Sequence, residues 1–154
     1  MDPNEFAPWG LDWAWSLPLI ALTVMFHVTG LGLLKRVSDR LRRVVNRYSG
    51  WSVAVIALLI AVLHGIEASL WAGAYRWLGA LPDFRSGVLY SLNAITAFGH
   101  TDLTLERKWQ LMGSLEALNG WILFGLSAAF LFALIERVWS QLEHSSSEAR
   151  PLGR

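Results

Sequence analysis

Three long apolar segments restrict this chain to a membrane fold. They cover residues 16–34, 51–78 and 118–139. A helix needs about 20 consecutive apolar residues to cross a bilayer core, and each segment reaches or approaches that length. Hydrophobic residues make up 54% of the chain and its mean hydropathy is +0.39, a balance typical of integral membrane proteins. The sequence therefore predicts an all-α membrane protein with three transmembrane helices.

The basic residues predict the orientation of these spans. Six of them lie between the first and second spans, and no Lys or Arg precedes them: Lys35, Arg36, Arg40, Arg42, Arg43 and Arg47. The positive-inside rule places this segment in the cytoplasm, with the N-terminus outside the cell membrane and the C-terminus inside. The net charge of +1 is too small to favour nucleic acid as a partner.

The same basic segment has helical periodicity. Val37, Leu41, Val44 and Tyr48 recur on one face, opposite the arginines. This pattern predicts an amphipathic interfacial helix that contacts anionic lipid. A voltage sensor is the alternative, but it needs its arginines inside a spanning helix, and the first span is already complete. We therefore favour lipid anchoring as the role of this basic segment, which ends an N-terminal region at residues 1–50. At the other end of the chain, residues 140–154 are expected to form a short polar cytoplasmic tail.

A shorter segment separates the second and third spans. Leu81, Pro82 and Asp83 form a helix-start signal, and residues 86–95 continue as a helix of roughly 15 Å, about half a bilayer. The polar residues around Gly99 cannot continue an apolar helix. Backbone that leaves the helical state at membrane depth must be buried in protein or line water. This segment is the predicted functional site.

The polar return has a specific resemblance. It reads Thr96, Ala97, Phe98, Gly99, His100, Thr101, Asp102, and resembles the potassium-channel signature Thr-Thr-Val-Gly-Tyr-Gly-Asp. Flanking residues extend the likeness: Leu81 to Phe84, Tyr90, Ser91, Trp109, Leu115 to Gly120, Phe124 and Gly125. The chain resembles the two-span pore-domain ion channel family, specifically small prokaryotic members with an extra N-terminal transmembrane helix and a degenerate selectivity filter.

That resemblance implies a homotetramer around a central pore, with residues 51–139 as the pore domain. Four loops would present rings of backbone carbonyls to permeant K⁺ and Na⁺, with no organic cofactor. Thr96 would end the pore helix, the residues from Ala97 to Thr101 would line the filter, and Asp102 would stand at its outer mouth. Asn93 would lie behind the filter, where its amide could bond to Asp102.

Three departures from the signature alter the expected selectivity. Ala97 lacks a hydroxyl for the innermost ion site, and His100 replaces an aromatic strut. Thr101 replaces a glycine at a position that requires positive φ, which predicts strain of about 1–3 kcal/mol per subunit. We expect a remodelled, hydrated outer mouth and weak selectivity among monovalent cations. The alternative is a non-conducting channel-like subunit with a regulatory or structural role.

Polar residues within the spans allow further interpretations. His64 and Glu67 lie one turn apart in the second span, and His27 lies in the first. The favoured interpretation pairs Glu67 with His64 or with Arg76. A divalent-metal site is the alternative, although one pair supplies only two ligands. Ser69 lacks the base, orienting acid and oxyanion group of a hydrolase, so no enzymatic activity is expected.

The third span carries candidate gating residues. Gly120 and Gly125 could allow the helix to bend, and Ser127, Ala128 and Ala129 are small enough for close approach of helices. Small residues in membrane helices more often serve packing than bending, so packing is the alternative at both glycines. Phe132 is a candidate for an apolar constriction near the cytoplasmic end, which would close by dewetting.

Overall fold

The computed structural model describes residues 10–45, 50–99 and 103–148, and these residues form helices and connecting turns without a strand. The chain order is α1 (Gly10–Val45), α2 (Gly50–Trp77), α3 (Phe84–Ile95), a 3₁₀ turn at Arg107–Trp109, and α4 (Gln110–Glu148).

Three of the helices are long and apolar enough to cross a membrane, over Gly10–Arg40, Trp51–Trp77 and Arg107–Gln141. Large apolar side chains cover their outer faces, whereas several side chains that are completely buried are polar or charged. So many exposed large apolar side chains are unusual in a soluble protein and suit a chain whose exterior faces lipid. The predicted all-α, multi-pass membrane architecture with three spans is confirmed at this level.

Helix α1 is longer than its predicted span. It continues without a break through Lys35 to Val45, so the basic segment extends α1 instead of forming a separate interfacial helix. No Gly or Pro interrupts this part of the sequence, and Lys, Arg and Leu favour helix. The predicted polar tail differs in the same way, because α4 continues to Glu148. Residues 149–154 of that tail lie outside the described residues.

Helices α1 and α4 run parallel and in step. Near their first turns, the Asp12 carboxylate accepts a hydrogen bond from the backbone N–H of Met112 at 3.0 Å. That N–H is one of the amide groups that the first turn of a helix leaves unpaired, and a carboxylate there also meets the positive end of the helix dipole. At the other end, Arg137 lies 3.9 Å from Asp39. The two helices are therefore fastened at both ends.

Helix α3 begins at a side-chain cap. The Asp83 carboxylate accepts hydrogen bonds from the Ser86 backbone N–H at 2.9 Å and from its hydroxyl at 2.7 Å. The bond from the backbone of Ser86 lowers the pKa of Asp83 below its ordinary value. Pro82 precedes the cap, where its missing N–H removes no helical bond. The predicted helix at 86–95 is confirmed, with its start at Phe84.

The end of α3 lies against the middle of α4. Gly87 approaches Ala72 of α2, and the Tyr90 ring meets Tyr75 edge-on at 5.4 Å between centroids. A Cβ atom at Gly120 would lie 2.6 Å from the Cα of Ile95. Gly120 therefore makes room for the last residue of α3, about 15 Å along α4 from Gln110. Helix α4 passes through Gly120 without a break, and this glycine packs closely against the backbone of Ile95. The possible hinge at Gly120 stays a prediction.

We predict that Gly120→Ala lowers the free energy of unfolding by about 1–3 kcal/mol, because the new methyl group collides with the backbone of Ile95. Gly125→Ala is the matched control. It lies in the same helix with no neighbouring atom within 4 Å of an added Cβ. The gain in helix propensity should make that variant neutral or up to about 1 kcal/mol more stable.

Denaturant unfolding of both purified variants in one detergent measures the difference. Equal stabilities for the two alanine variants would contradict the close contact between Gly120 and Ile95.

Candidate functional site

The predicted filter segment begins as a cap on the C-terminal end of α3. The backbone of Thr96 is in the right-handed helical region (φ −84°, ψ −3°), and the backbone of Ala97 is in the left-handed region with φ +53°. The N–H of Phe98 donates to the Asn93 carbonyl at 3.0 Å, and the N–H of Ala97 donates to the Ala94 carbonyl at 3.0 Å. These two bonds form a Schellman motif, which usually has glycine at the left-handed position.

Backbone strain is found at Ala97. A left-handed residue other than glycine costs roughly 1–2 kcal/mol. Gly99 also has positive φ, at +91°, without that cost. The strain expected at Thr101 lies outside the described residues, as do the predicted filter residues His100 and Asp102.

Asn93 contacts this segment through its main-chain carbonyl. Its carbonyl accepts the N–H of Phe98 and thereby helps to close the helix. The side-chain bond that we expected from Asn93 to Asp102 concerns a partner beyond the described residues, so it stays a prediction.

Residues 96–99 are exposed on the surface of the single chain, and the Phe98 side chain is 82% exposed. They come directly after Ile95, which packs against Gly120 in the interior of a candidate span. Non-helical backbone is therefore exposed well inside the length of the long helices.

A cleft of about 450 Å³ lies beside the end of α3. Its walls come from α2, α3 and α4 and are mainly apolar, with Trp121 and Phe124 among them. Thr96 and His64 also line it. The cleft thus connects the end of α3 with the histidine of the second span.

Four polar side chains from three helices meet next to this cleft. We call His27, His64, Glu67 and Ser127 the histidine–glutamate cluster. The Nδ1 atom of His27 lies 2.8 Å from Oε1 of Glu67, and Nδ1 of His64 lies 3.2 Å from Oε2 of the same carboxylate. The Ser127 hydroxyl lies 3.0 Å from Nε2 of His27 and 3.2 Å from Nε2 of His64. The structure thereby brings His27 to the pair that the sequence singled out.

Burial differs among the members of the cluster. His27 and Glu67 are completely buried, whereas the His64 side chain is 20% exposed and borders the cleft. Arg76, the alternative partner considered for Glu67, is exposed near the C-terminal end of α2. The cluster is thus buried within the protein except at His64, which borders the cleft.

A second group of buried polar side chains lies closer to the start of α4. The Tyr75 hydroxyl donates to Oε2 of Glu116 at 2.7 Å. One turn away, the Asn119 amide donates to the Thr23 hydroxyl at 2.9 Å, and that hydroxyl donates to the Leu19 carbonyl at 2.8 Å. Glu116, Asn119 and Thr23 are completely buried.

Sequence reasoning missed that the polar residues of α1 share one face. The buried polar positions of α1 occur at steps of four, seven and four residues, and then eleven: Asp12, Ser16, Thr23, His27 and Ser38. Steps of four and seven return to the same side of a helix. This periodicity is visible in the sequence and could have predicted the face that α1 buries.

The candidate gating residues occupy two different environments. Gly125 and Phe132 are exposed, seven residues apart on one face of α4, together with Leu118, Trp121 and Ala128. Gly120 is buried against α3. Gly125 and Phe132 are therefore on the outer surface of the single chain, whereas Gly120 lines the cleft beside α3.

Comparison of the chain with protein-family models, with curated proteins and with solved structures finds no match.

We predict that Ala97→Gly is neutral or up to about 1 kcal/mol more stable, because glycine relieves the left-handed strain but adds entropy to the unfolded chain. Ala97→Thr should be less stable by about 1 kcal/mol or more, because β-branched residues resist positive φ.

Ala94→Gly is the matched control, since the same change inside α3 should destabilise by about 1 kcal/mol. Thermal unfolding in detergent orders the variants. A destabilising effect of the same size from Ala97→Gly and Ala94→Gly would rule out a left-handed Ala97.

Proposed function

We propose that this chain forms a tetrameric, passive cation channel of the two-span pore-domain type, related to potassium channels and weakly selective among monovalent cations. The proposal depends mainly on one observation. A 12-residue helix, α3, ends beside the middle of a candidate span and is followed by exposed, non-helical backbone.

Exposed backbone at this position constrains its surroundings. Lipid tails offer no hydrogen bonds to N–H and C=O groups, so such backbone must face protein or water. In the single chain, residues 96–99 are not covered by protein. Further copies of the chain around a water-filled axis would place this backbone against protein and water instead of lipid.

The bonding of the cap sets the direction of the carbonyls. A trans peptide group points its C=O opposite to its N–H. The N–H groups of Ala97 and Phe98 point back into α3, so the carbonyls of Thr96 and Ala97 point away from its end. Carbonyl oxygens and the negative end of a helix dipole both attract cations. This arrangement supports K⁺ or Na⁺ as the permeant species.

Helix α4 offers the face that would line the inner pore. Gly125, Ala128 and Phe132 belong to its exposed stripe, and Phe132 would narrow the pore as an apolar constriction. In this proposal the N-terminus lies outside the cell membrane. The basic end of α1 then lies at the cytoplasmic surface, where it contacts anionic lipid.

We expect liposomes that contain the purified protein to conduct K⁺ and Na⁺ with similar permeability, measured as a reversal potential close to zero under opposed K⁺ and Na⁺ gradients. Native mass spectrometry should give a tetramer. High selectivity for K⁺ over Na⁺ would contradict the weak selectivity, and a dimer would contradict the shared pore.

Gly99→Ala should reduce the ion flux at least tenfold, because an alanine is strained at φ +91° and would shift the backbone of the filter. Gly73→Ala is the matched control. Both glycines have open space around an added Cβ, but only Gly99 has positive φ. Equal flux in the two variants would place the pore elsewhere.

The second candidate function is a non-conducting, channel-like subunit. It is favoured by the use of the Phe98 N–H to close α3, which commits part of the predicted filter to a helix cap. If the natural protein is silent in liposomes, the triple change Ala97→Thr, His100→Tyr and Thr101→Gly should create a K⁺ current. A conducting natural protein would exclude this candidate.

A further inference from the structure

We propose that His27, His64 and Glu67 bind one divalent transition-metal ion, with Zn²⁺ as the best match, and that this ion fastens α1 to α2. The inference concerns the histidine–glutamate cluster alone and does not depend on whether the protein conducts ions.

The three residues already have nearly the spacing of metal ligands. One ligand atom from each lies within 4.8 Å of the other two. Two ligands of a tetrahedral ion at 2.0–2.1 Å are about 3.3 Å apart. The Nδ1 atom of His64 lies 3.2 Å from Glu67, and Nδ1 of His27 lies 2.8 Å from it. The two distances from imidazole to carboxylate therefore need to change by only about half an ångström or less to suit the ion.

Two of the ligand atoms lack a hydrogen bond. Nδ1 of His64 and Oε2 of Glu67 are buried and face each other at 3.2 Å, yet neither has a hydrogen-bond partner. Buried polar atoms normally have a hydrogen-bond partner. A cation between these atoms would satisfy both.

The Ser127 hydroxyl can support the imidazole tautomer that metal binding requires. Its hydroxyl oxygen is within reach of Nε2 of both histidines, at 3.0 and 3.2 Å. A hydroxyl oxygen has two lone pairs, so it can accept both N–H groups. Each Nδ1 then keeps its lone pair for the metal. Such a partner on the far nitrogen is the usual support of a metal-bound histidine.

The ligand types select the metal. Imidazole nitrogen suits Zn²⁺ and its neighbours in the first transition series, whereas Mg²⁺ and Ca²⁺ prefer oxygen. Two histidines and one glutamate leave a fourth coordination position for water. Water can reach it from the cleft that His64 borders. The Glu67 carboxylate supplies the negative charge that a divalent ion needs in a buried site.

The site joins residues of three helices, so a bound ion should stabilise the fold and raise its unfolding temperature. His27 belongs to α1, His64 and Glu67 to α2, and the supporting Ser127 to α4. An ion bound only by the folded protein stabilises it by mass action. We expect Zn²⁺ at a hundredfold excess over its Kd to raise the unfolding temperature of chelator-treated protein by about 5–10 °C.

The experiment uses the full chain in detergent, stripped with a chelator and then titrated with Zn²⁺ or Co²⁺. Elemental analysis should find one Zn²⁺ per chain, and Co²⁺ should give the visible absorption of a tetrahedral site, which Zn²⁺ displaces. Glu67→Gln should abolish the thermal shift and the Co²⁺ spectrum, and Ser127→Ala should weaken the affinity about 10- to 100-fold.

Glu116→Gln is the matched control, because Glu116 is also completely buried but bonds to Tyr75. Its Zn²⁺-dependent shift should equal that of the natural chain. If Glu67→Gln does not fold, the Co²⁺ spectrum of the natural chain still decides the question. Absence of bound metal, with the same unfolding temperature in chelator and in Zn²⁺, would overturn the proposal and leave a proton-bridged cluster.

Discussion

The polar face of α1 is the contact on which the arrangement of the long helices depends. Between helices in lipid there is little hydrophobic driving force, because the acyl chains are as apolar as the side chains. Directional bonds then decide which faces meet. Asp12 meets the start of α4, Thr23 meets Asn119, and His27 meets both Glu67 and Ser127. Rotating α1 by half a turn would turn these groups toward the bilayer, at a cost of several kcal/mol for each unsatisfied group.

The position of α3 has a different origin. Its end is fixed by shape, because Gly120 admits the backbone of Ile95, and its start is fixed by the Asp83 cap. The left-handed Ala97 then turns the chain immediately after this contact. Strained backbone is enriched at functional sites, and Ala97 lies within the predicted filter segment. The features that carry the proposed pore therefore occupy a few consecutive residues.

Much of this fold could be predicted from the sequence, and the errors have physical causes. Apolar length gives the three spans, and the Pro82–Asp83 pair gives the start of α3, because both depend on local chemistry. The continuation of α1 to Val45 was missed because the basic segment after the first span was expected to lie along the membrane surface as a separate helix. The partner of Gly120 could not be predicted, because close packing depends on a distant residue, Ile95. His27 could be identified as unusual, but its partners depend on how three helices pack.

The parallel, in-step contact of α1 with α4 has a mechanical consequence. Bonds near the first turn, near the middle and near Arg137 link residues of α1 to residues of α4 at an almost constant sequence offset. A slide of one helix by a single residue, about 1.5 Å, would break this register along its whole length. We therefore expect the two helices to move together as one unit. In the proposed channel, a tilt of α4 would therefore carry α1 through the surrounding lipid as well, and bilayer thickness and lateral tension would act directly on that movement.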